Sequence, residues 1–222
     1  MKISPQTMAI LRNFAGINPA IIVVPGSKIK VRAGSQALFY ASAQVEEVFP
    51  VRFAIAELPS FISMSGLFDD PDYEFHTDHL VITDENKRKL TFRYANEKAV
   101  ISVDYEKDVV FPSVDAEFTF SKSNQEALKN ALAGLKAPQF AVIGDGKNIR
   151  VATYDVGNAH KDQFSIVVGE TDKVFGCVHE SAYMKLIPQE YRVTLYLERF
   201  ITKFEGNPTY WMPGHVKSYK GK

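Results

Sequence analysis

The 222-residue chain holds a single cysteine, Cys177. One thiol excludes a disulfide framework within the chain and any cysteine-rich zinc site, and it suits a reducing compartment better than secretion. An excess of charge of either sign is also missing: 26 Lys and Arg balance 26 Asp and Glu. Bulk electrostatics therefore gives no pull toward nucleic acid or an anionic membrane, and phosphate contact has to come from local segregation of charge. Long hydrophobic runs are absent too. A stretch such as Ala20 to Pro25 is far shorter than the roughly 20 apolar residues that cross a bilayer as a helix. No apolar segment follows Lys2, so a signal peptide is not expected. The expectation is a soluble, cytoplasmic, globular protein with no membrane partner, long enough for one large or two small cored domains.

What is present is a duplication. Residues 8–33 and 126–153 share an order: a helical stretch, Ala-Gly-(Ile/Leu), a proline, an apolar run, a Gly-containing turn and Ile-(Lys/Arg)-Val. Ala15-Gly16-Ile17 matches Ala133-Gly134-Leu135, and Ile29-Lys30-Val31 matches Ile149-Arg150-Val151. In the first half Ser4 and Pro5 start a helix as N-cap and first helical residue, and Met8, Leu11 and Phe14 share a face. Gly16 is expected to end it. Strands are expected at about 20–24, 28–33, 37–44 and 50–55, a helix at 57–66, and strands at 72–76, 79–84 and 88–95. The second half predicts a strand at 116–120 and a helix at 122–136, with Leu128, Leu132 and Leu135 inward. Strands then follow at 139–144, 147–154, 163–169 and 174–178, a helix from His179 to before Pro188, and strands at 191–198, 200–205 and 208–212. The fold class is α+β, with two similar tandem domains at 1–112 and 113–222 and a connector over about 96–112.

Enzyme chemistry does not assemble. His179-Glu180 opens like a zinc-protease helix but lacks the second histidine. His76 and His79 have no third ligand nearby. Gly144-Asp145-Gly146-Lys147 fits a hairpin turn better than a phosphate loop. Asp69-Asp70-Pro71-Asp72 lacks the spacing of a calcium loop, and Cys177 sits in an apolar strand as a core residue. No nucleophile, base and orienting group come together, so catalytic residues, metal and cofactor are all expected to be absent.

Positive charge is segregated instead. Lys122, Lys129 and Lys136 at i, i+7 and i+14 form a stripe on the predicted helix 122–136, with Glu126 the only carboxylate between the outer two. Arg12 occupies the corresponding helix of the first half, Lys2 leads into it, and Lys185 lies on the predicted second helix of the second half. Viewed alone, such lysines solvate a helix face. With a duplicated fold and no catalytic site they point to phosphate contact without base readout.

The chain resembles the sliding clamps of T-even-type bacteriophages over nearly its whole length. The landmarks are Met1-Lys2-Ile3-Ser4, Leu11 to Ala15 followed by Ile17-Asn18, Val51 to Leu58, Leu67-Phe68-Asp69-Asp70, and Lys203-Phe204-Glu205-Gly206. Such clamps are similar to the proliferating-cell-nuclear-antigen family, in which subunits of similar domains close a ring with helices inside and sheets outside. The resemblance implies a homotrimeric processivity factor around double-stranded DNA, with a replicative polymerase tail peptide and a clamp-loader ATPase as partners. It directs Arg12, Lys122, Lys129 and Lys136 toward DNA, with Lys2 and Lys185 beside them. It implies ring closure by pairing the strand with Arg88, Leu90, Phe92 and Tyr94 to a neighbour's strand with Phe164, Ile166 and Val168. It places partner peptides beside Val100, Ile101, Val103, Val109, Val110 and Phe111. The rival reading is a virion structural or assembly protein built from a duplicated β-rich module. No role follows for the basic tail after Pro213.

Overall fold

The computed structural model describes residues 1–34, 39–101, 103–106, 110–111, 113–158, 162–215 and 218–221. The chain divides into two compact units, Met1–Asp108 and Val109–Lys222.

The first unit opens with α1 (Pro5–Ile17). Its start is fixed by Ser4, whose hydroxyl accepts the Thr7 N–H at 3.2 Å, and by Pro5, which has no N–H to leave unsatisfied. Ile10, Leu11, Phe14 and Ile17 form its buried face. Fully burying side chains of this size contributes about 1.5–3 kcal/mol each. Gly16 does not end the helix as expected; the helix runs one residue further and Asn18 turns the chain. The Asn18 N–H donates to Phe14 O at 2.9 Å, its side-chain amide donates to Arg32 O, and its side-chain oxygen accepts the Ala20 N–H. That set of three bonds terminates the helix without a left-handed glycine.

Short strands β1 (Ile21–Val23) and, further on, β4 (Phe53–Ile55) pair with each other, and β2 (Gly26–Arg32) forms an antiparallel pair with β3 (Tyr40–Phe49). Residues 37 and 38 of the expected third strand lie outside the described residues. Helix α2 (Leu58–Ser65) buries Leu58 and Phe61. An antiparallel sheet follows in the order β5 (Asp72–Phe75), β6 (His79–Thr83), β7 (Lys89–Arg93). Strand β7 is an edge, with residues in alternation between half-buried and exposed.

In the second unit β8 (Ala116–Phe120) leads into α3 (Lys122–Gly134), capped by the Ser121 hydroxyl on the Asn124 N–H at 3.2 Å. Strands β9 (Gln139–Asp145), β10 (Asn148–Tyr154), β11 (Ser165–Glu170) and β12 (Val174–Glu180) come next. After them come β13 (Tyr191–Tyr196), β14 (Ile201–Glu205), β15 (Thr209–Pro213) and β16 (Tyr219–Lys220). One sheet has the order β11-β10-β9-β12-β16; in another, β13 lies between β8 and β14, and β14 also pairs β15. The core combines Leu128 and Leu132 of α3 with Phe140, Val142, Ile149 and Val151.

Two expectations for this unit are corrected, and the tail, for which no role was expected, gains a place in a sheet. The helix expected from His179 to Pro188 does not form: β12 continues through Glu180, and only a 3-10 turn at Ser181–Tyr183 follows. Helix α3 ends at Gly134 rather than 136. The tail after Pro213 supplies β16, which covers the outer edge of β12 in the register Phe175 with Lys220 and Gly176 with Tyr219.

Candidate nucleic-acid and subunit interfaces

The basic residues divide into three kinds. Arg12 on α1 is exposed, and its side chain has no hydrogen bond or ion pair among the described residues. Lys122, in the first turn of α3, is exposed and lies 3.9 Å from Glu126 one turn on. At this exposure such a pair contributes at most a few tenths of a kcal/mol. These two match the expected exposed cations. Lys136 is exposed but sits beyond the helix with φ +49°, so the i, i+7, i+14 stripe is not a stripe on one helix. Lys185 is exposed on an irregular segment, not on a helix.

The other two are engaged. The Lys2 ammonium lies 2.9 Å from Asp70 and 3.3 Å from Asp72, and the hydrogen bond to Asp70 is the leading cause that raises its pKa. Lys129 is half-buried and donates to Leu186 O at 2.7 Å; burial lowers its pKa. The sequence placed Lys129 on an exposed face, and the structure turns it onto its own chain.

The predicted interface strands are both edges: β7 ends one sheet, and β11 ends another. Backbone direction within each strand follows from antiparallel alternation. The Tyr94 N–H donates to Asp78 O at 3.1 Å, so Tyr94, Phe92 and Leu90 direct their backbone groups toward β6. Lys89, Thr91 and Arg93 direct theirs outward. The Thr153 N–H donates to Phe164 O at 2.9 Å, so Phe164 and Ile166 face β10, and Ser165 and Val167 face outward. Sequence reading selected the half-buried side chains and missed that the free backbone groups belong to the residues between them. Arg88 and Tyr94 flank β7 rather than belong to it. The Arg88 guanidinium is already committed to Asp84 and Asp69, both at 2.6 Å. Tyr94 stacks on Phe53 with ring centroids 5.2 Å apart, and Phe92 meets Phe61 edge-on at 5.4 Å.

The connector residues do not form one apolar strip. Val100 is buried with Ile22 and Ala54, so it is core rather than docking surface. Val103 lines an open cleft of about 590 Å³ with Val24, Pro25, Arg52, Asp104, Tyr105 and Glu106. Ile101 is partly open and Val110 is 81% exposed. Phe111 packs on Tyr196, with centroids 4.5 Å apart. Val109 lies outside the described residues. The cleft wall is fixed by a residue that sequence reading passed over. Lys30 is 1% exposed, and its ammonium donates to the carbonyls of Asp104 at 3.3 Å and Tyr105 at 3.2 Å. The Tyr105 hydroxyl donates to Ile22 O at 2.8 Å and accepts the Lys30 N–H at 3.0 Å. Arg52, on the same wall, is paired with Glu97 at 2.8 Å.

The remaining polar clusters have structural partners. His76 and His79 stack at 4.5 Å and reach Glu74 and Asp78, and no group of three metal-ligating side chains occurs among the described residues. Asp145 accepts the N–H groups of Lys147 and Asn148, with Gly146 at φ +84°, which is a hairpin turn. Cys177 is fully buried, and burial pushes its thiol up to about 11. No helix among the described residues is long and apolar enough to cross a membrane.

The fold is that of the PCNA and beta clamps. The chain superposes on A. fulgidus PCNA, solved with the C-terminal region of FEN-1, at a TM-score of 0.66 over 96% of each chain, with 8% identity. No family model matches the sequence. Two curated relatives resolve the kind of clamp. The sliding clamp of Vibrio phage KVP40 is 30% identical over 211 residues, covering 90% of this chain and 94% of that one. The sliding clamp of Escherichia phage RB69 is 26% identical over 215 residues, covering 93% of each. The chain belongs to this family, the sliding clamps of T-even-type bacteriophages, and serves DNA replication as a processivity-factor clamp.

Proposed function

We propose that three copies of this chain, each contributing clamp domains 1–112 and 113–222, close into a ring around duplex DNA and tether the replicative polymerase. The single observation that carries the assembly is the pair of open sheet edges, β7 in one unit and β11 in the other. An uncovered edge is an invitation to association. Joining two different edges is a heterologous contact, and a closed cyclic oligomer pairs β7 and β11 of every subunit. Outward N–H and C=O groups of Thr91 and Arg93 on one subunit would meet those of Ser165 and Val167 on the next. Leu90, Phe92, Ile166 and Val168 would supply the apolar flank.

Within that ring Arg12, Lys122, Lys136 and Lys185 meet phosphates loosely and read no bases. Lys2, held by Asp70 and Asp72, contributes less than its exposure suggests. The cleft bordered by Val103 and Tyr105, with Ile101 beside it, receives a short apolar peptide from a polymerase tail. A peptide-bound clamp of the same fold, the A. fulgidus protein with its FEN-1 segment, supports that reading by analogy. The clamp acts without catalysis, metal or cofactor, in the cytoplasm of the infected host, and an ATPase loader opens it. Light scattering tests the assembly. Three times the chain mass of 24.9 kDa is expected, and a monomer at micromolar concentration would remove the ring and revive the reading as a virion component.

A further inference from the structure

Segment 181–190 stands where the internal repeat calls for a helix, and its conformation is set by side chains from α3. Gln125, fully buried, donates through Nε2 to Leu186 O at 3.0 Å and to Ile187 O at 3.4 Å, while its Oε1 accepts the Gln189 N–H at 3.4 Å. Lys129, one helical turn later, donates to the same Leu186 carbonyl at 2.7 Å. From the opposite side, the Tyr191 hydroxyl donates to Ile187 O at 2.7 Å and the Tyr210 hydroxyl accepts the Ile187 N–H at 3.3 Å. Both tyrosine side chains are fully buried. Beyond the 3-10 turn at Ser181–Tyr183, the carbonyls of Leu186 and Ile187 are thus satisfied by a built polar clasp of side chains. Lys185 is exposed between Met184 and Leu186, which are 8% and 2% exposed. The backbone that carries it is therefore fixed on both sides by anchored neighbours.

We propose that Lys129 is a positioning residue for the DNA-facing surface: its ammonium holds the Leu186 carbonyl and thereby sets the place of Lys185, without itself touching phosphate. The inference rests on the reading that Lys185 faces DNA. An ammonium spent on a main-chain carbonyl is directed away from the ligand, and a carbonyl with two side-chain donors cannot swing freely. The lowered pKa of Lys129 has the same origin, since burial disfavours its charged form.

The test uses the full-length clamp and two readouts. The first is the salt slope of binding to a short duplex; the second is amide exchange at Ile187 and Gln189. Lys185→Ala should lower the slope by about one unit for each phosphate no longer neutralised and leave exchange unchanged. Lys129→Met should lower the slope equally and accelerate exchange at both amides about tenfold. The double variant should fall no further than Lys185→Ala alone. Lys129→Gln, which keeps a donor on a shorter stem, provides the same comparison if the methionine variant does not fold. Additive slopes with unchanged exchange mean that Lys129 meets phosphate directly, which overturns the proposal. Faster exchange with an unchanged slope makes it a purely structural residue, which also overturns it. A Lys185→Ala variant with the wild-type slope removes the DNA-facing reading itself, and the inference with it.

Discussion

His179 shows how far one residue can depart from the role its neighbours suggest. In sequence His179 reads as the start of a helix, one that opens like a zinc-protease motif but lacks its second histidine; in the structure the imidazole is fully buried in a strand. It packs against Phe140, with one ring nitrogen 2.9 Å from Pro213 O and the other 2.9 Å from the Thr202 hydroxyl. Burial lowers its pKa to about 4. The unfolded imidazole takes up a proton below its ordinary value near 6.5, whereas the folded one waits until about 4. The unfolded state therefore binds more protons in that window, and stability must fall as pH drops through it and be complete above it. The loss reaches about 3 kcal/mol at the lower end. Urea midpoints of the wild type and of His179→Gln between pH 7 and 4 check this: the wild type should lose more, and parallel curves would show that the buried imidazole is not the cause. Lys30 is the opposite case, a buried cation whose ammonium is held by two carbonyls of its own chain. Nothing in Ile29-Lys30-Val31 distinguishes it from an ordinary outward lysine on a strand, because its partners, Asp104 and Tyr105, lie more than seventy residues away.

Among the elements, those with a local signal were legible. Ser4-Pro5 marks a helix start, and the alternation of Val193 and Leu195 marks a strand buried on its core face. The segment after Val178 was not legible. The expected helix over His179 to Pro188 rested on position in the repeat, and tertiary partners decide the matter. Thr202 and Pro213 hold His179 in β12, and Gln125 and Lys129 then satisfy the carbonyls that a helix would have used internally. Strand β16 was invisible because it depends on an absence. A Cβ at Gly176 would collide with the Tyr219 ring, so the tail seats only where residue 176 has no side chain. The family resemblance pointed to these two strands, but not to which backbone groups on them are free, and that distinction makes a sharp prediction. Ile166 faces β10, so Ile166→Pro removes a bond within the subunit and should lower the melting temperature of the fold itself. Val167, 56% exposed, faces outward, and Val167→Pro should leave the subunit folded yet shift the scattering mass from trimer to monomer. Full trimer mass in a folded Val167→Pro variant would exclude β11 as the closing edge.

On the scale of the whole molecule, the balance of 26 basic and 26 acidic side chains suits the proposed role on DNA. Each phosphate that a cation neutralises releases counterions, so binding strength grows with every such pairing and falls steeply with salt. A clamp that has to move along DNA needs that term to stay small, and retention then has to come from topology. This chain keeps it small in two ways. Its net charge is zero, and Lys2 and Lys129, two of its six candidate pore cations, are engaged with Asp70 and Asp72 and with Leu186. Arg12 and Lys122 remain the clearest candidates to meet phosphate. Replacing either with alanine should lower the salt slope of duplex binding by about one unit for each phosphate set free, and the change is multiplied by the number of subunits in the ring. Retention should behave differently. Loaded on a closed DNA circle, the wild type and the Arg12→Ala and Lys122→Ala variants should all stay bound as salt rises, provided that the ring remains shut. On linear DNA all of them should slide off the ends, with the variants leaving sooner. The measurement is the fraction bound to circular and linear duplexes of equal length over a salt series. Circle and line losing protein in parallel would mean that ordinary electrostatic binding holds this chain on DNA, and a topological link would no longer be needed to explain its action.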